Sequence, residues 1–241
     1  MDEETTKEIN DRYLGYVDSL TSALKDRDYT AVVEAVDAYM DFAKGKEAEA
    51  KLLKSRGAVS PFGDKSKFYS SIQEELPALL IKDRLAKMLG DARFERHNFV
   101  LGGQVCVIRQ CVTPDANMWS ETKNIDFCFA VEIRNLSNSF VPLFGLEVKK
   151  YMDKTMFTTV MDTVRSLSYL RASSQYGFLV EEEARSAEVV INSPIADREF
   201  ILSGQKRIRD GRRTISPGVI ENLHMTLENW ASRSIRQLES A

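Results

Sequence analysis

The chain of 241 residues balances 33 Lys and Arg against 36 Asp and Glu, a net charge of −3, and is 43% hydrophobic and 29% charged. That is ordinary for a globular chain able to bury a core, as one domain with an appendage or as two small domains. A mildly acidic total does not announce a nucleic-acid binder, nor does it exclude one, because bulk charge averages over opposite faces. No apolar run approaches the roughly 20 residues of a membrane span, and the start Met1-Asp-Glu-Glu is unlike a secretory signal. No membrane partner and a cytoplasmic location are therefore expected.

In chain order, residues 1–57 alternate apolar and charged positions at helical spacing. Tyr13, Leu14, Tyr16, Val17, Leu20 and Leu24 form one stripe. After the break at Asp26-Arg-Asp28, Val32, Val33, Val36, Tyr39, Met40 and Phe42 form a second. Glu47 to Leu53 is either a third helix or a continuation, so this part reads as an N-terminal helical subdomain. Arg56-Gly-Ala-Val-Ser-Pro-Phe-Gly63 reads as the linker to a second domain, residues 58–241. Lys67 to Leu89 is expected to be helical, with Pro77 interrupting it. Ile72, Leu76, Leu79 and Leu80 form its apolar face. Glu75 lies on that face, either available to a functional cluster or solvated at the stripe's edge.

Phe99 to Ile108 reads as two short strands or one strand bulged at Gly102-Gly103. Lys123 to Ile133 is a strand with Asp126 near its start, and the polar turn Asn135 to Ser139 leads into a buried strand, Phe140 to Tyr151. Asp153 should cap a helix from Lys154 to about Arg171, with Phe157, Val160, Met161, Val164 and Leu167 along one face. Tyr176 to Val180 is a further strand, so strand, helix and strand make a parallel crossover. Glu199 to Leu202 is one more strand. The chain ends in a helix, Val219 to Leu238, with Ile220, Leu223, Met225, Leu227, Trp230 and Ile235 mostly buried. Cys106, Cys111 and Cys128, with no Cys-x-x-Cys pair, read as buried reduced thiols.

Successive strand residues alternate faces at about 3.3 Å each, so Glu147 and Lys149 emerge on one side roughly 7 Å apart. A carboxylate and an ammonium at the rim of an apolar sheet are costly unless they are paired or hold a metal. Spacing alone leaves open whether Asp126 approaches Glu147 across the neighbouring strand or caps a turn. His97 and His224 lie far apart without a nucleophile pattern. There is no Gly-x-Ser-x-Gly elbow, phosphate-binding Gly-Lys-Ser/Thr loop or dinucleotide fingerprint, so kinase, hydrolase-fold and dehydrogenase readings lose their main props. Lys206, Arg207, Arg209, Arg212 and Arg213 crowd the loop from Gly204 to Thr214, which is either a phosphate or guanine contact or a solvated loop.

Ile125-Asp126, about twenty residues, then Glu147-Val148-Lys149 resembles the PD-(D/E)xK nuclease superfamily. The string Glu147-Val-Lys-Lys-Tyr-Met-Asp-Lys-Thr-Met156 is similar to restriction endonucleases of the Bpu-ten-I family. Ser71 to Leu76, Lys82-Asp83, Lys123 to Phe127 and Val141 to Leu146 follow in matching order, so the resemblance covers roughly residues 65 to 235. Ile125 stands where the family usually has proline. The resemblance implies an α/β fold with a restriction-endonuclease-like core, a mixed central β-sheet flanked by helices. In it Asp126 and Glu147, with the Val148 carbonyl, bind Mg²⁺, Lys149 serves the attacking water, and Glu75 is a candidate upstream acid. It also implies cleavage of double-stranded DNA at a short specific site, with Lys154 and the basic loop on the DNA. The assembly would be a homodimer or a heterodimer with a related subunit. A repair, resolvase or transposition nuclease of the same fold and a catalytically silent DNA-binding subunit are the competing readings.

Overall fold

A computed structural model describes residues 3–55, 68–90, 94, 97–112, 118–133, 139–170, 175–183, 195–203 and 215–239. The proposed linker at residues 56–63 and the basic loop at 204–214 lie outside the described residues.

Helices α1 (Glu3–Asp26) and α2 (Tyr29–Ser55) meet at the charged break. Arg27 takes a positive φ of 55°, the Asp28 amide bonds back to the Ala23 carbonyl, and the Asp28 carboxylate caps the Thr30 and Ala31 amides at 3.1 and 3.0 Å. The amides freed at a helix start are satisfied there by a side-chain oxygen, which is why the second helix begins where it does. Residues 47–53 continue α2 without a break. Helix α3 (Phe68–Leu89) runs through Pro77, contrary to the expected interruption. A proline costs the bond its missing N–H would make to the preceding turn. Burial of Ile72, Leu76, Leu79, Leu80, Ile81 and Leu85 offsets that cost, at about 1.5–3 kcal/mol for each fully buried large aliphatic side chain.

The sheet is five-stranded in sequence order: β1 (Phe99–Val112), β2 (Met118–Glu132), β3 (Phe140–Met152), β4 (Gln175–Glu183) and β5 (Glu199–Ile201). The β1/β2 and β2/β3 pairs are antiparallel, while β3/β4 and β4/β5 are parallel, so the sheet is mixed. Helix α4 (Lys154–Leu170) makes the crossover from β3 to β4, capped by Asp153, whose Oδ1 accepts the Met156 amide at 2.8 Å. Its Val160 and Leu167 pack with Cys106, Cys128, Tyr176, Phe178 and Val180 on one face of the sheet. The other face, presenting Phe127, Phe129, Phe144, Leu146, Val148 and Leu179, is covered by α3 and the last helix, α5 (Pro217–Glu239), with α1 and α2 packed over them in one continuous apolar cluster. Met225 on α5 is 45% exposed rather than buried, standing off the stripe that Leu223, Leu227 and Trp230 turn inward. Among the described residues no helix is long and apolar enough to cross a membrane.

The β2 register is irregular beside Asp126. Gly102 pairs with Cys128 and Gln104 with Ile125, so two steps along β1 face three along β2, a bulge at Asp126-Phe127. The expected irregularity at Gly102-Gly103 is real, but the extra residue belongs to the partner strand. Gly102, at φ 131°, adopts backbone that favours glycine and lets β1 follow. Beyond the bulge the alternation of faces is reversed: Ile125 packs on the α4 side with Cys128 and Ala130, while Phe127 and Phe129 go to the other.

Candidate active site

The antiparallel register pairs Phe127 with Leu146, so the next residues along, Asp126 and Glu147, stand side by side on neighbouring strands. Both carboxylates touch Lys149: its Nζ donates to Asp126 Oδ2 at 2.6 Å and to Glu147 Oε2 at 3.0 Å. Asp126 Oδ2 also accepts the Val148 amide at 2.9 Å, which ties the β2 acid to the β3 backbone. The open alternative for Asp126, capping a turn, does not occur. Glu147 is 4% exposed, and its other oxygen, Oε1, accepts the Tyr176 hydroxyl from β4 at 3.0 Å and pairs with Lys123 from β2. Lys123 in turn donates to Thr163 Oγ1 of α4 at 2.5 Å.

Two neighbouring acids that share one ammonium, Glu147 buried and Asp126 partly buried, do not ionise independently, and the two are driven in opposite directions. Burial raises the Asp126 carboxyl above the usual range, helped by the neighbouring Glu147 and opposed by the bonds from Lys149 and the Val148 amide. Burial also pushes Glu147 upward, but the Lys123 bond and the Lys149 charge outweigh it, and the group falls to about 2. For Lys149 burial works downward, yet the Asp126 bond and the Glu147 charge leave the ammonium above its ordinary value. Burial, with the Glu147 charge beside it, holds the Tyr176 hydroxyl well above the usual phenol value and therefore protonated as a donor.

Glu75 is not brought to this cluster. It accepts a hydrogen bond from Tyr13 of α1, beside Tyr16 and Tyr39, in the helical layer that covers the opposite face of the sheet. Gln73, also on α3, hydrogen-bonds to the sheet instead, its amide donating to Glu181 Oε2 on β4 at 3.0 Å. Lys154 is exposed on the first turn of α4. Lys206, Arg207, Arg209, Arg212 and Arg213 lie outside the described residues. Cys106 and Cys128 are buried free thiols, and the side chain of Cys111 falls outside the description. His224 is buried, its Nδ1 3.1 Å from the Tyr29 hydroxyl, in a structural setting.

Two site residues escape a reading by periodicity, Lys123 and Tyr176. Lys123 is three positions from Asp126, which in a regular strand puts it on the other face; only the bulge turns it back. Tyr176 reaches Glu147 across Gly145, where any Cβ would lie 3.2 Å from the tyrosine ring. The parallel crossover and the glycine in the Glu147 strand are the signals that could have found it.

Among the described residues no group of three or more His, Cys, Asp and Glu side chains gathers as a metal cage. Asp126 and Glu147 nonetheless form a hard oxygen pair around one shared cationic position, where Lys149 Nζ now sits. Such a donor set suits Mg²⁺, which takes one or two carboxylates and keeps most of its waters. It does not suit a soft thiolate-seeking metal.

The mixed sheet and its helical layers, with this acid pair midway along β2 and β3, make an α/β fold with a restriction-endonuclease-like core. The chain is similar to the solved structure of the native BbvCI A2B2 tetramer, with a TM-score of 0.62 and 18% identity over 99% of this chain and 90% of that one. At that identity the likeness carries the fold. No family model and no curated protein matches the chain.

Proposed function

We propose that the chain is a Mg²⁺-dependent endodeoxyribonuclease that hydrolyses phosphodiester bonds of double-stranded DNA at a short specific site, as type II restriction enzymes do. The observation that carries this reading is the convergence of Asp126, Glu147 and Lys149 from two adjoining strands on one point. Asp126 and Glu147 would hold the ion, with the Val148 carbonyl as a third protein ligand. When bound, the ion polarises the phosphate and stabilises charge on the leaving oxygen. Lys149 orients the attacking water or meets the charge that develops on the phosphoryl oxygens. The P–O bond on the 3′ side breaks, leaving a 5′-phosphate. Lys154 and the basic loop would contact the DNA backbone, and arginines of that loop could read guanine.

Each chain offers one such site and a duplex has two strands. The A2B2 assembly of BbvCI favours a pairing here as well, as a homodimer or with a related subunit.

Supercoiled phage-sized DNA incubated with the protein in Mg²⁺ tests this reading, with EDTA as the control. Discrete linear bands are expected in Mg²⁺ and none in EDTA; nicked circles alone would mean that one chain cuts one strand and a partner is required. Asp126→Asn and Glu147→Gln should abolish cutting while retaining DNA binding, and Lys149→Ala should slow it by about 10²–10⁴-fold. Structure-dependent nicking or a smear would point to repair or resolvase chemistry, and binding without any cleavage to a silent subunit. Either result overturns the restriction reading.

A further inference from the structure

We infer that Lys123 is a displaceable counter-ion that holds the place of a divalent cation's charge at Glu147 and restrains metal loading until a phosphate arrives; this rests on the function proposed above. The charges at the site carry the argument. Asp126 and Glu147 bring two negative charges, and Lys123 and Lys149 bring two positive ones within hydrogen-bonding reach. The site is therefore compensated before any metal enters. A divalent cation added to it would meet two ammonium groups within a few ångströms, a repulsion that the partly buried setting does little to screen.

The two lysines are held differently. Lys149 bridges both acids, at 2.6 Å and 3.0 Å. Among the described acids Lys123 contacts only Oε1 of Glu147, and it also bonds the hydroxyl of Thr163, which is 4% exposed and tied back to the Thr159 carbonyl at 3.2 Å. It can thus leave Glu147 and keep a fixed partner on α4. The Lys123 side chain is 23% exposed, so its ammonium can be met from solvent, from which a DNA phosphate would come. A phosphate oxygen would compensate the released ammonium and so couple metal loading to substrate. The bulge at Asp126-Phe127 exists at the position that aims Lys123 at Glu147. Lys149 divides its single charge between two acids, so the positive charge that completes the balance is the one Lys123 brings to Glu147.

The test is Mn²⁺ binding to the full chain without DNA, followed by electron paramagnetic resonance, in wild type, Lys123→Met, Lys123→Arg, Asp126→Asn and the double variant Lys123→Met/Asp126→Asn. Lys123→Met should bind one Mn²⁺ about tenfold or more tightly than wild type, Lys123→Arg should behave as wild type, and the double variant should lose the gain. Thermal unfolding of each variant reports whether the fold is kept, and Lys123→Arg preserves the charge if the methionine variant proves unstable; it should then show wild-type affinity, and tighter binding by it would contradict the inference. If Lys123→Met binds Mn²⁺ no more tightly than wild type while Asp126→Asn still removes binding, the counter-ion role is wrong and the nuclease reading stands. If Asp126→Asn changes Mn²⁺ binding in neither background, the metal is not held by these acids and both fall together.

Discussion

Glu147 is 4% exposed and still ionised, because Lys123 and Lys149 supply two cationic partners and Tyr176 a neutral donor. A buried carboxylate so held stabilises the folded chain only while it is charged. Its folded value of about 2 lies below the ordinary 4.5, so its contribution is fully present above about 4.5 and is lost as the pH falls toward about 2. Asp126, raised by burial, acts with the opposite sign: its penalty is relieved on protonation. Urea unfolding of wild type against Glu147→Gln isolates the first effect, and the wild-type advantage should be larger at about pH 6 than at about pH 3. An advantage independent of pH over that range would contradict the ion pairs described. At this scale the shared face of Glu147 and Lys149 was legible from strand alternation, whereas spacing left Asp126 open and only the family resemblance put it with them. Glu75 was misleading, since its place on an apolar helical face says nothing of which neighbour the face meets. That neighbour is Tyr13, more than sixty residues away in the chain.

The strands and their irregularities set where these side chains point. Gly145 in β3 passes so close to β2 that a Cβ there would lie 2.9 Å from the Phe127 carbonyl oxygen, and 3.2 Å from both Ile125 Cγ2 and the Tyr176 ring. Gly145→Ala should therefore destabilise the fold by about 1–3 kcal/mol in urea unfolding and loosen the Tyr176 bond to Glu147. A change under about 0.5 kcal/mol would show that the strands can separate at no cost. Element types were readable from periodicity and caps: the Asp153 cap, the α4 stripe and the parallel crossover all appear as expected. What periodicity cannot read is a change of phase. The β2 bulge inverts the faces on either side of it, and Pro77 sits inside a helix whose burial outweighs the lost hydrogen bond.

Across the whole molecule, the sheet separates two unlike layers. The layer of α1, α2, α3 and α5 is apolar where it meets the sheet and keeps Glu75 among tyrosines. The α4 layer meets the face that carries Glu147, Lys123 and Tyr176. Long-range placement of this kind depends on which helix covers which face, and no local pattern encodes it. The net charge of −3 is uninformative for the same reason, since it sums over both layers. The central claim is that acids from two adjoining strands together hold one hard divalent cation. Crystals grown in Mn²⁺ and measured for anomalous scattering test it most directly. One strong peak is predicted within about 2–2.3 Å of carboxylate oxygens from both Asp126 and Glu147. A peak that touches only one of the two acids, or that lies elsewhere on the molecule, would contradict it.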